Sequence, residues 1–216
     1  MMPAALARFM LRLNGISIVN PNEGRWPEQY VLPTVTHTSN RDFPYGLYVR
    51  AAIGQYINFV GKSTLFKPPL GWFLSWMGGV PVVRTKRTNF VQSVAEVFKT
   101  KKDFKLCIAA EGTRAKVTHF KTGFYFIAKE ANVPLVLCKF DLRGKRVIEF
   151  SEPYEITGDI RADFDHIYRF FDGAIGLVPE NSFVYDPAIL DLLPGQDKGA
   201  AAGEAKRNPR LSRDAK

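Results

Sequence analysis

The sequence is poor in the residues that build metal sites and disulfide frameworks. It has 2 cysteines and 3 histidines among 216 residues. Cys107 and Cys138 each lie inside an apolar run, which suits reduced thiols in a core, and no metal-ligand spacing is present. We therefore expect no metal site and no resident cofactor.

The sequence also lacks an uncharged run long enough to span a bilayer. The longest run, at 68–83, falls short of the ~20 apolar residues that are needed, and proline and glycine interrupt it. Arg8 and Arg12 interrupt the N-terminal apolar stretch, so no secretory signal is expected. Residues 1–14 instead predict an amphipathic helix that either lies in a membrane interface or docks on the protein's own core. Its apolar stripe consists of Leu6, Phe9, Met10 and Leu13.

Acidic residues are outnumbered, with 21 Asp and Glu against 30 Lys and Arg, for a formal net charge of +9. Such an excess predicts an anionic partner, which is a nucleic acid, an acidic membrane or a phosphorylated small molecule. A hydrophobic content of 46% with 17 phenylalanines indicates a packed globular protein. We assign residues 15–193 to one domain and expect 194–216, which are rich in Gly, Ala and charge, to be a disordered basic tail.

Apolar segments with strand character alternate with segments that have helical periodicity. Strands are predicted at 30–36, 58–60, 80–83, 105–110, 133–140 and 147–150. Helices are predicted at 44–55, 70–77, 123–131 and 162–172, with one more capped by residue 88 or 89. This alternation predicts an α/β fold with a single mixed central sheet flanked by helices.

The stretch HTSNRD, His37 to Asp42, is the most informative motif. On a regular helix the side chains of His37 and Asp42 would point to different sides, so they meet only across a turn. Ser39 and Asn40 favour such a turn. A carboxylate on one ring nitrogen fixes the tautomer and leaves the other nitrogen free as a general base. The plain alternative is a polar turn without chemistry.

Two more apolar strands end in residues suited to binding an anion. The segment VPVV ends in Arg84, and KLCIAA ends in the run EGTR, Glu111 to Arg114. In open α/β sheets, ligands bind beyond the carboxyl ends of the strands. If the three strands are parallel, the His37–Asp42 pair meets two arginines there, and guanidinium groups bind phosphate bidentately. For EGTR alone, a charged loop is the simpler interpretation.

Together these motifs resemble the glycerolipid acyltransferases, typified by lysophosphatidic acid acyltransferase. The resemblance covers roughly residues 31–138. Its motifs are the histidine and aspartate of HTSNRD, the segment from Gly61 to Arg84, EGTR followed by Phe120, Lys121 and Gly123, and the strand VPLVLC from Val133. The chain departs from the family pattern at Thr36, Val83 and Leu137, which leaves the acceptor open.

The resemblance implies a fold like that of glycerol-3-phosphate acyltransferase and a transfer of an acyl group. His37 would act as the base and Asp42 would orient it. The substrate-binding residues would be Lys62, Arg84, Glu111, Gly112, Thr113 and Arg114. The acyl donor would be acyl-CoA or acyl carrier protein, and the acceptor a lysophospholipid or a glycerol phosphate. No GxSxG nucleophile motif is present, which fits direct transfer.

We expect a peripheral protein on the cytoplasmic side of the cell membrane that does not bind nucleic acid. Besides the N-terminal stripe, the segment from Trp72 to Met77 is a candidate membrane contact or acyl-chain surface, with plain core as the alternative. The other functional hypothesis is a non-enzymatic basic module that binds nucleic acid or acidic lipid. It explains the charge, but not the polar residues at three strand ends, and no RNP motif is present.

Overall fold

The computed structural model describes residues 2–82 and 87–193. Within them, seven strands form one sheet in the order β1-β7-β6-β2-β5-β3-β4. The strands are β1 (Ser17–Val19), β2 (Gln29–Val35), β3 (Asn58–Lys62), β4 (Gly79–Val82), β5 (Phe104–Ala109), β6 (Cys138–Asp141) and β7 (Val147–Phe150). The helices are α1 (Ala4–Leu13), α2 (Asp42–Ala52), α3 (Leu70–Trp76), α4 (Arg87–Thr100), α5 (Gly123–Ala131) and α6 (Ile160–Phe171).

The sheet is mixed, as predicted. Strands β6, β2, β5, β3 and β4 all run in one direction, because each neighbouring pair among them is parallel. Strand β7 is antiparallel to β6 and parallel to β1. The carboxyl ends of five strands therefore lie at the same edge as the amino ends of β7 and β1. We call this edge the carboxyl edge.

Each face of the sheet has its own apolar cluster, because successive side chains of a strand point to opposite faces. Along β2, Val31 and Val35 belong to one cluster, and Tyr30 and Leu32 belong to the other. The first cluster also contains buried residues of α4, α5 and α6, and the second contains those of α1 and α2. Helices thus flank both faces, as the sequence predicted.

Two predicted elements need correction, and one strand was missed. The strand predicted at 133–140 is regular only over Cys138–Asp141. Proline cannot donate to a ladder, and next to Pro134 only Leu135 makes isolated bridges, to Val31 and Tyr154. Helix α2 begins at Asp42 rather than at residue 44. The three-residue strand β1 was not predicted, because it is too short to show a period.

Helix α1 forms where it was predicted, but its apolar stripe is not the face that docks. Ala7 and Leu11 are buried against the protein, whereas Leu6, Phe9 and Leu13 are exposed. None of the helices in the described residues is long and apolar enough to cross a membrane. The tail predicted at 194–216 lies outside the described residues.

Candidate active site

The turn that follows β2 brings His37 and Asp42 together. His37 Nδ1 lies 3.4 Å from Asp42 Oδ2. The same carboxylate oxygen accepts a hydrogen bond of 2.8 Å from the backbone N–H of Ser39, which closes the turn. The contact predicted between the ring and the carboxylate is therefore present. The catalytic role assigned to these two residues stays a prediction at this point.

The surroundings of this pair differ on the two sides of the imidazole ring. On one side is Asp42, whose side chain is only 4% exposed and whose Oδ1 has no hydrogen-bond partner among the described residues. Asp42 is also the first residue of α2, where the positive end of the helix dipole stabilises a carboxylate. On the other side, His37 is 30% exposed, and its Nε2 has no bonding partner within 2–82 and 87–193. Because Nδ1 faces Asp42, Nε2 is the ring nitrogen left for contact with a ligand.

Glu111 lies beneath the same turn. Its carboxylate is buried and accepts a hydrogen bond of 2.6 Å from the backbone N–H of His37. Burial raises the pKa of Glu111 to about 7, although the hydrogen bond from His37 opposes the rise. The nearby negative charge of Asp42 adds to it. The contact seen for Glu111 is thus with the backbone that carries His37, so this carboxyl group ties the end of β5 to the end of β2.

The rest of the EGTR run forms a loop at the carboxyl edge. Gly112 has a φ of +66°, which only glycine adopts without strain, and the side chain of Lys121 packs directly over it. Thr113 and Arg114 are exposed. The guanidinium of Arg114 forms no ion pair with any described residue. Arg114 is therefore free to bind an anion at this edge.

A segment near the C-terminus covers both loops, and sequence reasoning missed it. We call residues 174–182 the cover segment. The N–H of Val178 donates to Thr38 Oγ1 at 3.1 Å, and Asn181 Nδ2 donates to the carbonyl of Arg114 at 3.0 Å. Gly176 packs so closely that an added Cβ would lie 2.5 Å from Thr38 Oγ1. No sequence signal links these positions, because Val178 and Thr38 are 140 residues apart in the chain.

The side chains of two predicted binding residues lie outside the described part of the structure. Lys62 is the last residue of β3, at the carboxyl edge, but its side chain lies outside the described part. Arg84 lies entirely outside the described residues. The strands that precede both residues are parallel to β5, as the sequence interpretation required. Thr36, where the family pattern differs, is buried and donates from Oγ1 to the carbonyl of Phe140.

Helix α3, between β3 and β4, exposes large aromatic side chains that are usually buried. Trp72 is 73% exposed and Trp76 is 72% exposed, and Phe73 between them is also exposed. The rings of Phe73 and Trp76 stack at 6.1 Å. The alternative that this segment is plain core is therefore wrong for these three side chains. Met77, at the end of the segment, is buried.

The described residues contain no cluster of histidine, cysteine and carboxylate side chains that could hold a metal ion. Both cysteines are free thiols. Burial raises the pKa of Cys107 and of Cys138, so both favour the neutral, unreactive form. The chemistry of this edge therefore depends on the imidazole, the carboxyl groups and the basic side chains.

Comparison with known proteins identifies the family of this chain. A family model described as Acyltransferase matches residues 18–140. A chloroplastic 1-acyl-sn-glycerol-3-phosphate acyltransferase of Brassica napus is 31% identical over 130 residues, which are 58% of this chain and 38% of that protein. Another, from Arabidopsis thaliana, is 28% identical over 130 residues, which are 58% of this chain and 36% of that protein. The chain thus spans less than two fifths of the length of these relatives.

A solved structure has the same fold. It is the 1-acyl-sn-glycerophosphate acyltransferase PlsC of Thermotoga maritima, with a TM-score of 0.53 and 18% sequence identity. The match covers 76% of this chain and 74% of that one. This likeness confirms the predicted mixed α/β fold with its central sheet flanked by helices.

Proposed function

The chain belongs to the acyltransferase family, and on that premise we propose that it transfers a fatty acyl group from an acyl thioester to a hydroxyl of a glycerol phosphate or a lysophospholipid. The observation that carries the proposal is the His37–Asp42 contact of 3.4 Å, in which the histidine side chain is 30% exposed. The acceptor class is supported by the relatives, whose names specify 1-acyl-sn-glycerol-3-phosphate.

The reaction proceeds by direct attack. His37 Nε2 accepts the proton of the acceptor hydroxyl, and the oxygen forms a bond to the thioester carbonyl carbon. Asp42 stabilises the imidazolium that results and keeps Nδ1 protonated. When the tetrahedral intermediate collapses, the C–S bond breaks, and the imidazolium gives its proton to the leaving thiolate. The products are the ester and the free thiol of the carrier, which is coenzyme A or acyl carrier protein.

The phosphate of the acceptor binds on the β5 side of His37. Arg114 is exposed there without an ion pair in the described part of the chain. Gly112 allows a ligand to approach the backbone next to it, and Thr113 adds an exposed hydroxyl. Lys62 is the last residue of β3, which ends at the same edge, and the sequence predicts that Lys62 and Arg84 add to the binding of the acceptor. Glu111 acts differently in this proposal, because it holds the backbone of His37.

The protein associates peripherally with the cytoplasmic side of the cell membrane. Two surfaces support a membrane contact: the exposed stripe Leu6, Phe9 and Leu13 of α1, and the exposed aromatic side chains of α3. Indole rings favour the boundary between water and hydrocarbon, and basic residues add attraction to anionic lipid. The free thiols Cys107 and Cys138 agree with a reducing compartment.

A product assay tests the proposal. The purified full chain is incubated with a panel of lysophospholipids and glycerol 3-phosphate, with acyl-CoA or acyl carrier protein as donor, and the products are identified by mass. We expect one acylated acceptor with wild-type protein and none above background with His37→Ala. Equal product formation by the two proteins would contradict the proposal, and so would the absence of any product with every combination of donor and acceptor.

A further inference from the structure

A small basic cavity lies at the carboxyl edge, on the opposite side of His37 from Arg114. Its volume is about 150 Å³, well above the ~15 Å³ that one water molecule requires. The turn between β6 and β7 contributes Arg143 and Arg146, and the turn before α2 contributes Arg41. The other residues that line it are Ile16, Tyr45, Leu142 and Leu177. We call it the arginine cavity.

The three guanidinium groups of the arginine cavity are not neutralised by the part of the chain that the structure describes. None of them forms an ion pair there, and no carboxylate lines the cavity. The charged Asp141 lies at the base of the same turn, but it makes no ion pair with the three arginines, and its two oxygens accept hydrogen bonds from the N–H groups of Gly144, Lys145 and Ile175. Like charges gathered in this way repel one another, and a bound anion offsets the repulsion.

The arginine cavity is held in place by the same elements that hold the candidate base. Arg41 belongs to the turn between His37 and Asp42. Leu177 of the cover segment precedes Val178, whose N–H donates to Thr38. Arg146 donates to the carbonyl of Asn14. A ligand that fills the cavity therefore contacts the turn on which His37 is carried.

The order of the strands separates this cavity from the surface around Arg114. In the sheet, β2 lies between β6 and β5. The turn with Arg143 and Arg146 follows β6, and the loop with Arg114 follows β5. Two basic sites thus flank β2, the strand that leads into the turn with His37. The proposed reaction brings together two substrates that both carry phosphate, namely the acceptor and the carrier of the acyl thioester.

We infer that the arginine cavity binds the phosphate of the 4′-phosphopantetheine arm of the acyl donor. This inference rests on the proposed function, which assigns the acceptor phosphate to the other side of His37. Coenzyme A contains this phosphate in a diphosphate and acyl carrier protein contains it in a phosphodiester, so either carrier presents an anionic phosphate to the site. Guanidinium groups bind phosphate by paired, charge-assisted hydrogen bonds, and three arginines from two turns line this cavity.

The test measures binding without turnover. The affinity of the purified full chain for 4′-phosphopantetheine and for pantetheine, which lacks the phosphate, is determined by calorimetry for wild type, Arg143→Gln and Lys145→Gln. Lys145 is the matched control, because it is an exposed cation of the same turn that does not line the cavity. We expect Arg143→Gln to weaken binding of 4′-phosphopantetheine about tenfold or more and to leave that of pantetheine unchanged. Lys145→Gln should bind both compounds like wild type.

Donor kinetics separate this inference from the proposed function. In Arg143→Gln, the KM for the acyl donor should rise about tenfold with either carrier, while the KM for the acceptor stays the same. Acyl transfer with an unchanged donor KM, or equal binding of 4′-phosphopantetheine by wild type and Arg143→Gln, would overturn the inference and leave the proposed function standing. Phosphate-dependent binding at Arg143 without acyl transfer to any acceptor would instead refute the proposed function. If Arg143→Gln weakened only the binding to anionic vesicles, and left 4′-phosphopantetheine binding and the donor KM unchanged, the cavity would be reassigned to a lipid headgroup and the inference refuted.

Discussion

Two crossover connections begin at the carboxyl edge of the sheet, and they are built in opposite ways. The connection after β2 buries polar side chains, among them Thr36, Thr38 and Asp42, in hydrogen-bonded positions. The connection after β3 exposes its large apolar side chains, above all Trp72 and Trp76. Both reverse the usual distribution, in which polar groups are exposed and aromatic rings are buried. Such reversals cost stability, and they are most readily explained by chemistry in the first connection and by an apolar partner in the second.

Removing the charge of Asp42 tests whether the buried polar connection after β2 serves chemistry. Asp42→Asn should lower kcat by about 10²-fold or more, close to the 10²–10⁴-fold loss expected for a missing general base in His37→Ala. The amide keeps an oxygen for the N–H of Ser39 but does not stabilise an imidazolium. Steady-state kinetics with the acceptor found in the product assay would measure the loss, and circular dichroism would show that the fold is retained. A kcat within a few fold of wild type would mean that Asp42 only closes the turn.

Glu111 provides a second test of the buried connection, through its pKa of about 7. Since the folded state raises this pKa above the ordinary value of 4.5, the protonated carboxyl is the form that folding favours. Its contribution to stability is complete below pH ~4.5 and is lost as the pH rises to about 7, a change of about 3 kcal/mol or less. Glu111→Gln is neutral at every pH and still offers an oxygen to His37. The mutant should therefore gain stability relative to wild type across this range.

Urea unfolding at pH 4.5, 6 and 7.5 measures this difference, with Glu130→Gln as the control for an exposed carboxylate. For Glu111→Gln the stability difference from wild type should increase with pH, whereas for Glu130→Gln it should stay nearly constant. A constant difference for Glu111→Gln as well would show that the buried carboxyl is not protonated near neutral pH.

The packing of the cover segment gives a third test. In Gly176→Ala the new methyl group would meet Thr38 Oγ1 at 2.5 Å and Thr36 Oγ1 at 2.7 Å. We expect a loss of about 1–3 kcal/mol in the free energy of unfolding, together with reduced activity, because the turn that carries His37 must move. Gly46→Ala is the matched control, since its added methyl meets nothing within 4 Å and it lies inside α2. That control should be stabilised by about 0.5–1 kcal/mol. Equal unfolding curves for both mutants would show that the cover segment adapts.

The cover segment also marks the limit of what the sequence predicts. Most strands and helices and the His37–Asp42 contact follow from local patterns, because hydrophobic period and turn residues act over a few positions. The bonds of Val178 to Thr38 and of Asn181 to Arg114 join residues far apart, and small or polar residues of this kind carry no period. The contact of Glu111 with the backbone of His37 is of the same type. Because Glu111 lies in the run EGTR, the sequence predicted that it binds substrate. Its hydrogen bond to the backbone of His37 depends on the pairing of β2 with β5, which no local pattern shows.

The smallest expected effect concerns the exposed connection. Changing Trp72 and Trp76 together to serine should weaken binding to anionic vesicles about tenfold, since each indole that partly enters the membrane interface contributes about 1 kcal/mol or less to binding. Stability in urea should stay within about 0.5 kcal/mol of wild type, because both rings are exposed in the folded protein. Val184→Ser is the matched control, as Val184 is another exposed apolar side chain outside α3. Vesicle sedimentation at low and high salt separates the apolar contribution of the indole rings from the electrostatic contribution of the basic residues, since salt screens only the latter. If the double mutant sediments with vesicles like wild type at high salt, α3 does not face the membrane, and its exposed rings must serve another apolar ligand, such as the acyl chain of the donor.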